Sequence, residues 1–166
     1  GNGYSDEWVA EAERRGLYNL RSTPEALPCM VAEKNIRLFT THRIFTEGEV
    51  RSRYAILLEN YCKTLHVEAK TMGMMVRGQF LPAVQASMDR LAASINGCRA
   101  AAPAASCAAL QTRLEQLAES YDKIDAAQNK LEEALAKAET LGDGQKAAWS
   151  YHDEVLPAIE AACPGA

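Results

Sequence analysis

The chain has 166 residues, of which 48% are hydrophobic and 7% aromatic, and its formal net charge is -4. This length allows one sizeable core rather than two full domains. An acidic chain without long Lys/Arg runs is a poor partner for nucleic-acid phosphates. No apolar run approaches the ~20 residues of a membrane span, and the first residues do not resemble a signal peptide. We therefore expect no nucleic-acid or membrane partner, and a cytoplasmic location.

An all-α fold is predicted, because aromatic residues are few and alanine is frequent in the second half of the chain. Over the first 45 residues the sequence predicts short helices. Ser5 can cap a first helix and Gly16 can close it as its C′ residue. Thr23 is the expected cap of a second helix, with Pro24 at its first position. Residues 34–41 predict a further short helix.

The start of a long helix is predicted at residues 45–50. Thr46 and Glu49 form a capping box, and Phe45 and Val50 are spaced as a hydrophobic staple. Three pairs with i to i+4 spacing can stabilise the helix: Glu47–Arg51, Glu49–Arg53 and Glu59–Lys63. The apolar stripe that is expected to be buried comprises Val50, Tyr54, Leu57, Tyr61 and Leu65.

The same stripe continues beyond Leu65, but Gly73, Gly78 and Pro82 interrupt it. Proline removes a backbone hydrogen bond and clashes with the carbonyl four residues earlier, so we expect a kink or a short break. Whether the helix is continuous there is left open by the sequence. The expected stripe residues are Met72, Met75, Phe80, Val84, Met88, Leu91 and Ile95.

The next helix is expected from about residue 106 to residue 141, with Ser106 as its cap. At about 1.5 Å per residue it would be on the order of 50 Å long, so its apolar stripe must meet another helix. A short connection makes the preceding helix the nearest partner and predicts an antiparallel hairpin. The heptad stripe comprises Leu110, Leu114, Leu117, Tyr121, Ile124, Gln128, Leu131, Leu135 and Ala138.

A final helix is predicted after Gly142-Asp143-Gly144, with Pro157 bending it and Pro164-Gly165 ending it. Its expected buried stripe comprises Trp149, His152, Leu156, Ile159 and Cys163. This helix could complete a three-helix bundle with the hairpin. We thus expect short helices at 1–45, packed on a long kinked helix, and a long-helix bundle at 46–166, together forming one structural unit.

No catalytic, cofactor-binding or metal-binding residue is nominated from the sequence. His42, His66 and His152 show no metal-ligand spacing, and the neighbours of His152, Asp153 and Glu154, point about 100° apart on a helix. The serines lack a G-x-S-x-G context. Glu132 and Glu133 are expected on an exposed face. The group Met72, Met74 and Met75 fits either an adaptable binding groove or core filling near a kink.

The five cysteines show neither an even count nor a C-x-x-C spacing, so we expect reduced thiols. Cys98 and Cys107 could face each other across a loop, and oxidising conditions would then allow a disulfide bond between them.

Several stretches together resemble the C-terminal region of type III glutamine synthetases, the long-chain bacterial branch of that family. They are GNGYSDEW at 1–8, AERRGLYNL at 12–20, Thr23 with Ala26-Leu27-Pro28, and FTEGEVRSRYAILLENYCKTLHVEAKTM from Phe45 onward. The segment Phe80-Leu81-Pro82-Ala83-Val84 and the ending His152-Asp153 with Val155-Leu156-Pro157 extend the likeness. The similarity is specific from residue 1 to about residue 84, and residues 99–147 match in helical character.

The chain departs from that pattern in two places. It has Leu65-His66-Val67-Glu68 where the family tends to read Ile-Asn-Ile-Glu, and it ends at Ala166 where the family continues. With Gly1-Asn2-Gly3 resembling the middle of a loop, both ends are expected to be truncated.

The resemblance implies a parent enzyme that joins ammonia to glutamate with ATP and divalent Mg or Mn ions, in a catalytic domain upstream of residue 1. None of those catalytic motifs occurs in this chain, so no catalytic residue is carried over and the chain alone is expected to be inactive. Its expected partners are its own catalytic domain and other subunits of a homo-oligomer. The alternative is a free-standing helical protein-interaction module.

Overall fold

The computed structural model describes residues 5–142 and 144–162, and every regular element in those ranges is helical. This confirms the all-α prediction. The α-helices are α1 (Asp6–Arg14), α2 (Thr23–Ala26), α3 (Glu33–Thr41), α4 (Glu47–Met75), α5 (Leu81–Ala101), α6 (Ala108–Glu139), α7 (Gly144–Ser150) and α8 (Leu156–Ala162). A 3₁₀ helix spans Leu27–Val31, and π-helical segments span Val76–Phe80 and Tyr151–Val155.

Contacts divide the chain between Cys62 and Lys63, inside α4, into two compact units that we call unit 1 and unit 2. The predicted division at residue 45 stays a prediction. Across 5–142 and 144–162 no helix combines the length and the hydropathy that crossing a bilayer requires.

In unit 1, α1 begins and ends as the sequence predicts. The Ser5 side chain accepts a hydrogen bond from the Trp8 amide, at 3.3 Å. At the other end Gly16 has a φ of 69°, and the amides of Gly16 and Leu17 donate to the carbonyls of Glu13 and Ala12. This pattern is a Schellman motif, which satisfies carbonyls that the helix end leaves unpaired.

The predicted cap of α2 is wrong by one position. Ser22 is the N-cap, and Thr23 is the first helical residue. Because the first amides of a helix have no intrahelical acceptor, proline is tolerated at the second position as well as the first. The Glu25 carboxylate instead accepts from the backbone amide of Arg21, at 3.0 Å.

The capping box at the start of α4 is confirmed. The Thr46 amide donates to Glu49 Oε2 at 2.8 Å, and the Glu49 amide donates to Thr46 Oγ1 at 3.3 Å. These hydrogen bonds from the backbone and then the side chain of Thr46 lower the pKa of Glu49 below its ordinary value. The predicted Glu47–Arg51 pair forms at 2.7 Å. The helix start is therefore fixed by local side-chain chemistry.

The predicted stripe of α4 and α5 is wrong at three positions, each by one residue. Leu57, Met75 and Phe80 are exposed, whereas their neighbours Leu58, Val76 and Leu81 are buried. Leu57 and Leu58 follow Tyr54 by three and four residues, and both spacings fit one helix face, so spacing alone cannot predict which of the two is buried. At Phe80 the π-helical segment changes the periodicity, because Val76 and Leu81 share a face at a spacing of five. The error at Met75 lies within α4, where Val76 follows buried Leu65 by about three α-helical turns.

No break separates α4 from α5, because π-helical residues connect them. The Leu81 amide donates to the Val76 carbonyl, and the Leu156 amide donates to the Tyr151 carbonyl in the same way. Each π-helical segment ends two residues before a proline, Pro82 or Pro157. Since proline lacks an amide proton and crowds the preceding turn, local widening allows the helix to continue through it.

In unit 2, α6 packs against α5 and against the stretch from α7 to α8. Lys70 pairs with Glu139 and Arg77 pairs with Asp125, so α6 runs antiparallel to the α4–α5 stretch. All nine predicted heptad residues of α6 are at least partly buried. Its N-cap is Cys107 rather than Ser106, whose hydroxyl accepts from the Ala108 amide at 3.5 Å.

The buried face of the last helical stretch is also shifted by one residue. Trp149 is exposed, whereas Ala148, Tyr151 and Val155 are buried. The buried residues keep ordinary three- and four-residue spacing, so the prediction errs in the rotational position of the stripe and not in its period. Three predicted residues are partly buried: His152, Leu156 and Ile159. The predictions for Gly1-Asn2-Gly3, Asp143, Cys163 and Pro164-Gly165 lie outside the described residues.

Replacing Thr46→Ala is expected to destabilise the first turn of α4 by about 1 kcal/mol, since it removes the N-cap acceptor. Hydrogen exchange at the amides of residues 47–50 should accelerate roughly fivefold. Thr64→Ala, an exposed site within the same helix, is the matched control and should not accelerate exchange there. Equal acceleration in both variants would contradict the role of the cap.

Candidate interaction surface

A groove in unit 2 separates the second half of α4 from the second half of α6. It has a volume of about 410 Å³. We call it the α4/α6 groove, and it is lined by Ala69, Lys70, Gly73, Met74 and Arg77 on one side and Gln128, Leu131, Glu132, Leu135, Ala136 and Glu139 on the other. Buried leucines form part of its floor, and charged groups lie at both ends.

The centre of the groove depends on the contact of Gly73 with Gln128. A Cβ atom at Gly73 would lie 2.8 Å from Gln128 Nε2, so any other residue at this position would displace the Gln128 side chain. Gln128 is 1% exposed, and its Nε2 donates to Glu132 Oε1 at 2.9 Å. Its Oε1 is buried without a hydrogen-bond partner among the described residues. Gln128 is thus a polar residue held inside an otherwise apolar stripe.

One end of the groove carries the Arg77 cluster, made of Arg77, Asp125, Asn129 and Glu132. The Arg77 guanidinium donates to Glu132 at 3.1 and 3.3 Å and also to Asp125 and Asn129. Hydrogen bonding to Glu132 raises the pKa of Arg77, and hydrogen bonding from Arg77 lowers the pKa of Glu132. A single arginine therefore ties the π-helical segment to two turns of α6.

The other end carries the Lys70 cluster, made of His66, Lys70, Glu139 and Tyr151. Lys70 Nζ lies 3.2 Å from Glu139 Oε1, and His66 Nδ1 lies 3.6 Å from the same oxygen. His66 Nδ1 also hydrogen-bonds the Tyr151 hydroxyl at 3.0 Å. His66 thus contacts side chains from two other helical stretches, at Glu139 and Tyr151.

The polar groups that the sequence left unassigned have structural contacts. Glu132 belongs to the Arg77 cluster, which the sequence could not show because its partner lies 55 residues away. His152 hydrogen-bonds Asp153 at 2.7 Å and contacts the Trp149 ring. Over the described part of the chain no three His, Cys, Asp or Glu side chains come together as metal ligands would.

The methionines and cysteines have different environments. Met74 is 69% exposed at the groove and Met75 is 40% exposed, so neither fills the core.

Cys98 and Cys107 are free thiols, as are Cys29 and Cys62. Burial raises the pKa of the Cys62 thiol, which makes it less nucleophilic at neutral pH.

Among its described residues, unit 1 has few buried and several exposed large apolar side chains. The buried hydrophobic residues are Ala12, Val50 and Leu58, together with Pro24. The exposed large hydrophobic residues are Trp8, Leu17, Tyr18, Leu38, Ile44, Ile56 and Leu57. Exposed apolar side chains that form a contiguous patch are typical of surfaces that another part of a protein covers.

Comparison with known proteins identifies the family. Residues 1–99 match the glutamine synthetase C-terminal domain. A glutamine synthetase of Butyrivibrio fibrisolvens is 39% identical over 156 residues, which covers 94% of this chain and 22% of that protein. A type-3 glutamine synthetase of Dictyostelium discoideum is 44% identical over 96 residues, or 58% of this chain and 13% of that protein.

The chain belongs to the glutamine synthetase C-terminal domain family. A glutamine synthetase of Bacteroides fragilis (strain YCH46) is 34% identical over 91 residues, 55% of this chain and 12% of that protein. The chain thus spans about a fifth or less of the length of these relatives. The predicted resemblance is confirmed, and the relatives come from bacteria and from Dictyostelium.

Replacing Gly73→Ala is expected to lower stability relative to a matched glycine substitution in the same bundle. Gly97 in α5 has open space at its Cβ position, so Gly97→Ala should stabilise by up to about 1 kcal/mol through helix propensity. Gly73→Ala gains the same propensity but must displace buried Gln128, an overpacking cost of about 1–3 kcal/mol. Thermal unfolding should place Gly73→Ala below Gly97→Ala; the reverse order would contradict the contact.

Replacing Arg77→Gln is expected to cost about 1 kcal/mol at neutral pH, a value limited by the partial exposure of the cluster. Because the folded-state pKa of Glu132 is lowered from 4.5, its ionised form stabilises the fold above that pH, and the contribution is lost as the pH falls through the lowered value. The difference between wild type and variant should therefore shrink in acid.

The exposed Arg113→Gln on α6 is the control for Arg77→Gln, and it should behave as wild type in denaturant titrations at neutral and acid pH. A pH-independent difference for Arg77→Gln would show that the Arg77 cluster does not act through the ionised carboxylates.

Proposed function

We propose that this chain is the C-terminal helical domain of a glutamine synthetase and that it acts in structure and oligomer assembly rather than in catalysis. Family membership supports glutamine synthetase as the parent enzyme. The observation that supports the structural role is the set of exposed apolar side chains in unit 1. A region that displays this much apolar surface over so small a core gains stability when another domain covers it.

Unit 1 is proposed to pack against the catalytic domain of the same parent. The exposed Leu17, Tyr18, Leu38 and Ile44 supply apolar contact area from three separate segments. Burying them would release about 25 cal/mol per Å² of apolar surface. Cations that stack on aromatic rings, such as Lys34 on Tyr18 at 5.3 Å, would remain at the rim of such an interface.

Unit 2 is proposed to project as the assembly element. It has buried residues of its own, which include Ile95 of α5 and Leu131 and Leu135 of α6, so it can present a fixed surface. The ion pairs of the Arg77 and Lys70 clusters hold α4 and α6 in register. A rigid helical pair of this kind suits contacts between subunits, because little conformational entropy is lost on binding.

The parent is proposed to be a cytoplasmic ligase that joins ammonia to glutamate with ATP and Mg or Mn. We propose that no residue of this chain binds ATP or the metal ions, because its charged groove residues form ion pairs with one another, as Arg77 does with Glu132. The isolated chain is accordingly proposed to be inactive.

Removing residues 63–166, which make up unit 2, from the full-length parent is expected to reduce the number of subunits per assembly while ATP binding persists. Light scattering after size-exclusion chromatography measures the mass, and fluorescent-nucleotide titration measures the binding. An unchanged number of subunits would refute the assembly role, and loss of ATP binding from folded protein would refute the separation from catalysis.

A further inference from the structure

We propose that the α4/α6 groove is a self-complementary docking surface for a second copy of this chain. The inference rests on the proposed role in assembly and identifies the surface and the partner of that role. It starts from the arrangement of charges around the groove, and it is supported by the exposure of Met74 at the groove's centre.

The two sides of the groove carry opposite charges at matching heights. Lys70 and Arg77 lie on the α4 side, and Glu139 and Glu132 lie opposite them on α6, at 3.2 and 3.1 Å. The four side chains remain 39–55% exposed, so each can bind another charged group while keeping its present partner. The groove thus has a basic rim and an acidic rim.

This pattern fits one particular two-fold contact. If two copies face each other with the symmetry axis running along the groove, the basic rim of each copy meets the acidic rim of the other at the same height. Lys70 then faces Glu139 of the second copy, and Arg77 faces Glu132 of the second copy. An axis across the groove would instead bring like charges together, which is unfavourable. Isologous contacts of this kind are the commonest in homo-oligomers.

The apolar centre suits the same contact. Met74 is 69% exposed beside a floor that includes Leu131 and Leu135. Methionine is flexible and fills irregular space, so Met74 of each copy can enter the groove of the other, between the two pairs of rim charges. A partner of unrelated sequence would need to reproduce both rims, whereas a second copy has them already.

The experiment uses two charge-reversal variants of the 166-residue chain, Lys70→Glu and Glu139→Lys. In each variant both rims carry like charge at one end of the groove, so a variant should repel its own copies. When the two are mixed, the acidic face meets the basic face and the attraction returns. Sedimentation at low ionic strength, where charge interactions are least screened, measures the association.

Wild type is expected to form dimers, each variant alone to associate about tenfold or more weakly, and the equimolar mixture to regain most of the wild-type affinity. A purely intramolecular role for the pair predicts that mixing restores nothing, and that result would overturn the proposal. Monomeric wild type at millimolar concentration would also overturn it, as expected if the groove binds a small molecule.

A second variant keeps the proposal testable if a rim substitution impairs folding. Met74→Glu places a charge at the centre of the groove on an exposed side chain, and it should abolish dimerisation without lowering the thermal stability. Phe80→Glu is the control, because Phe80 is also an exposed apolar residue of unit 2 but does not line the groove. Equal effects of the two substitutions would contradict the assignment.

The full-length parent separates this inference from the assembly role on which it rests. If removing unit 2 reduces the subunit number but Met74→Glu does not, unit 2 builds the assembly through another face and this inference fails alone. If removing unit 2 changes nothing, both fail.

Discussion

The contact of the buried Gln128 side chain with Gly73 is the one around which the α4/α6 groove is arranged. A Cβ atom at position 73 would lie 2.8 Å from Gln128 Nε2, so glycine leaves room for this side chain between the helices. On either side of it, the Arg77 and Lys70 clusters join α6 to the α4–α5 stretch by ion pairs. The α5 helix and the final helices pack against the same α6.

Local features of the fold could be predicted from the sequence with good accuracy, because they depend on neighbouring residues. The Ser5 cap, the Gly16 end of α1 and the Thr46–Glu49 capping box follow from side chains within a few positions. The error at Phe80 has a different cause. A periodicity of 3.6 residues was carried through a segment that is π-helical, and a π-helix changes which residues share a face. Only Pro82 hinted at that change.

The groove could not be predicted, since its contacts join residues that are far apart in sequence. Gln128 was recognised as a polar position in an apolar stripe, but its partner across the groove, Gly73, was interpreted as a helix breaker. Likewise Glu132 lies on an exposed face as predicted, but its ion pair with Arg77 could not be inferred from the sequence. In unit 2 polar residues join neighbouring helices, and in unit 1 several apolar residues remain exposed, which is the observation on which the proposed assembly role rests.

The most direct test of this account is a cryo-electron microscopy structure of the full-length glutamine synthetase with ATP and glutamate bound. The account predicts that unit 1 covers its apolar residues against the catalytic domain, that unit 2 contacts a neighbouring subunit, and that no residue of this chain touches either substrate. A side chain of this region in contact with the nucleotide or with glutamate, or a unit 2 that touches no other subunit, would contradict it.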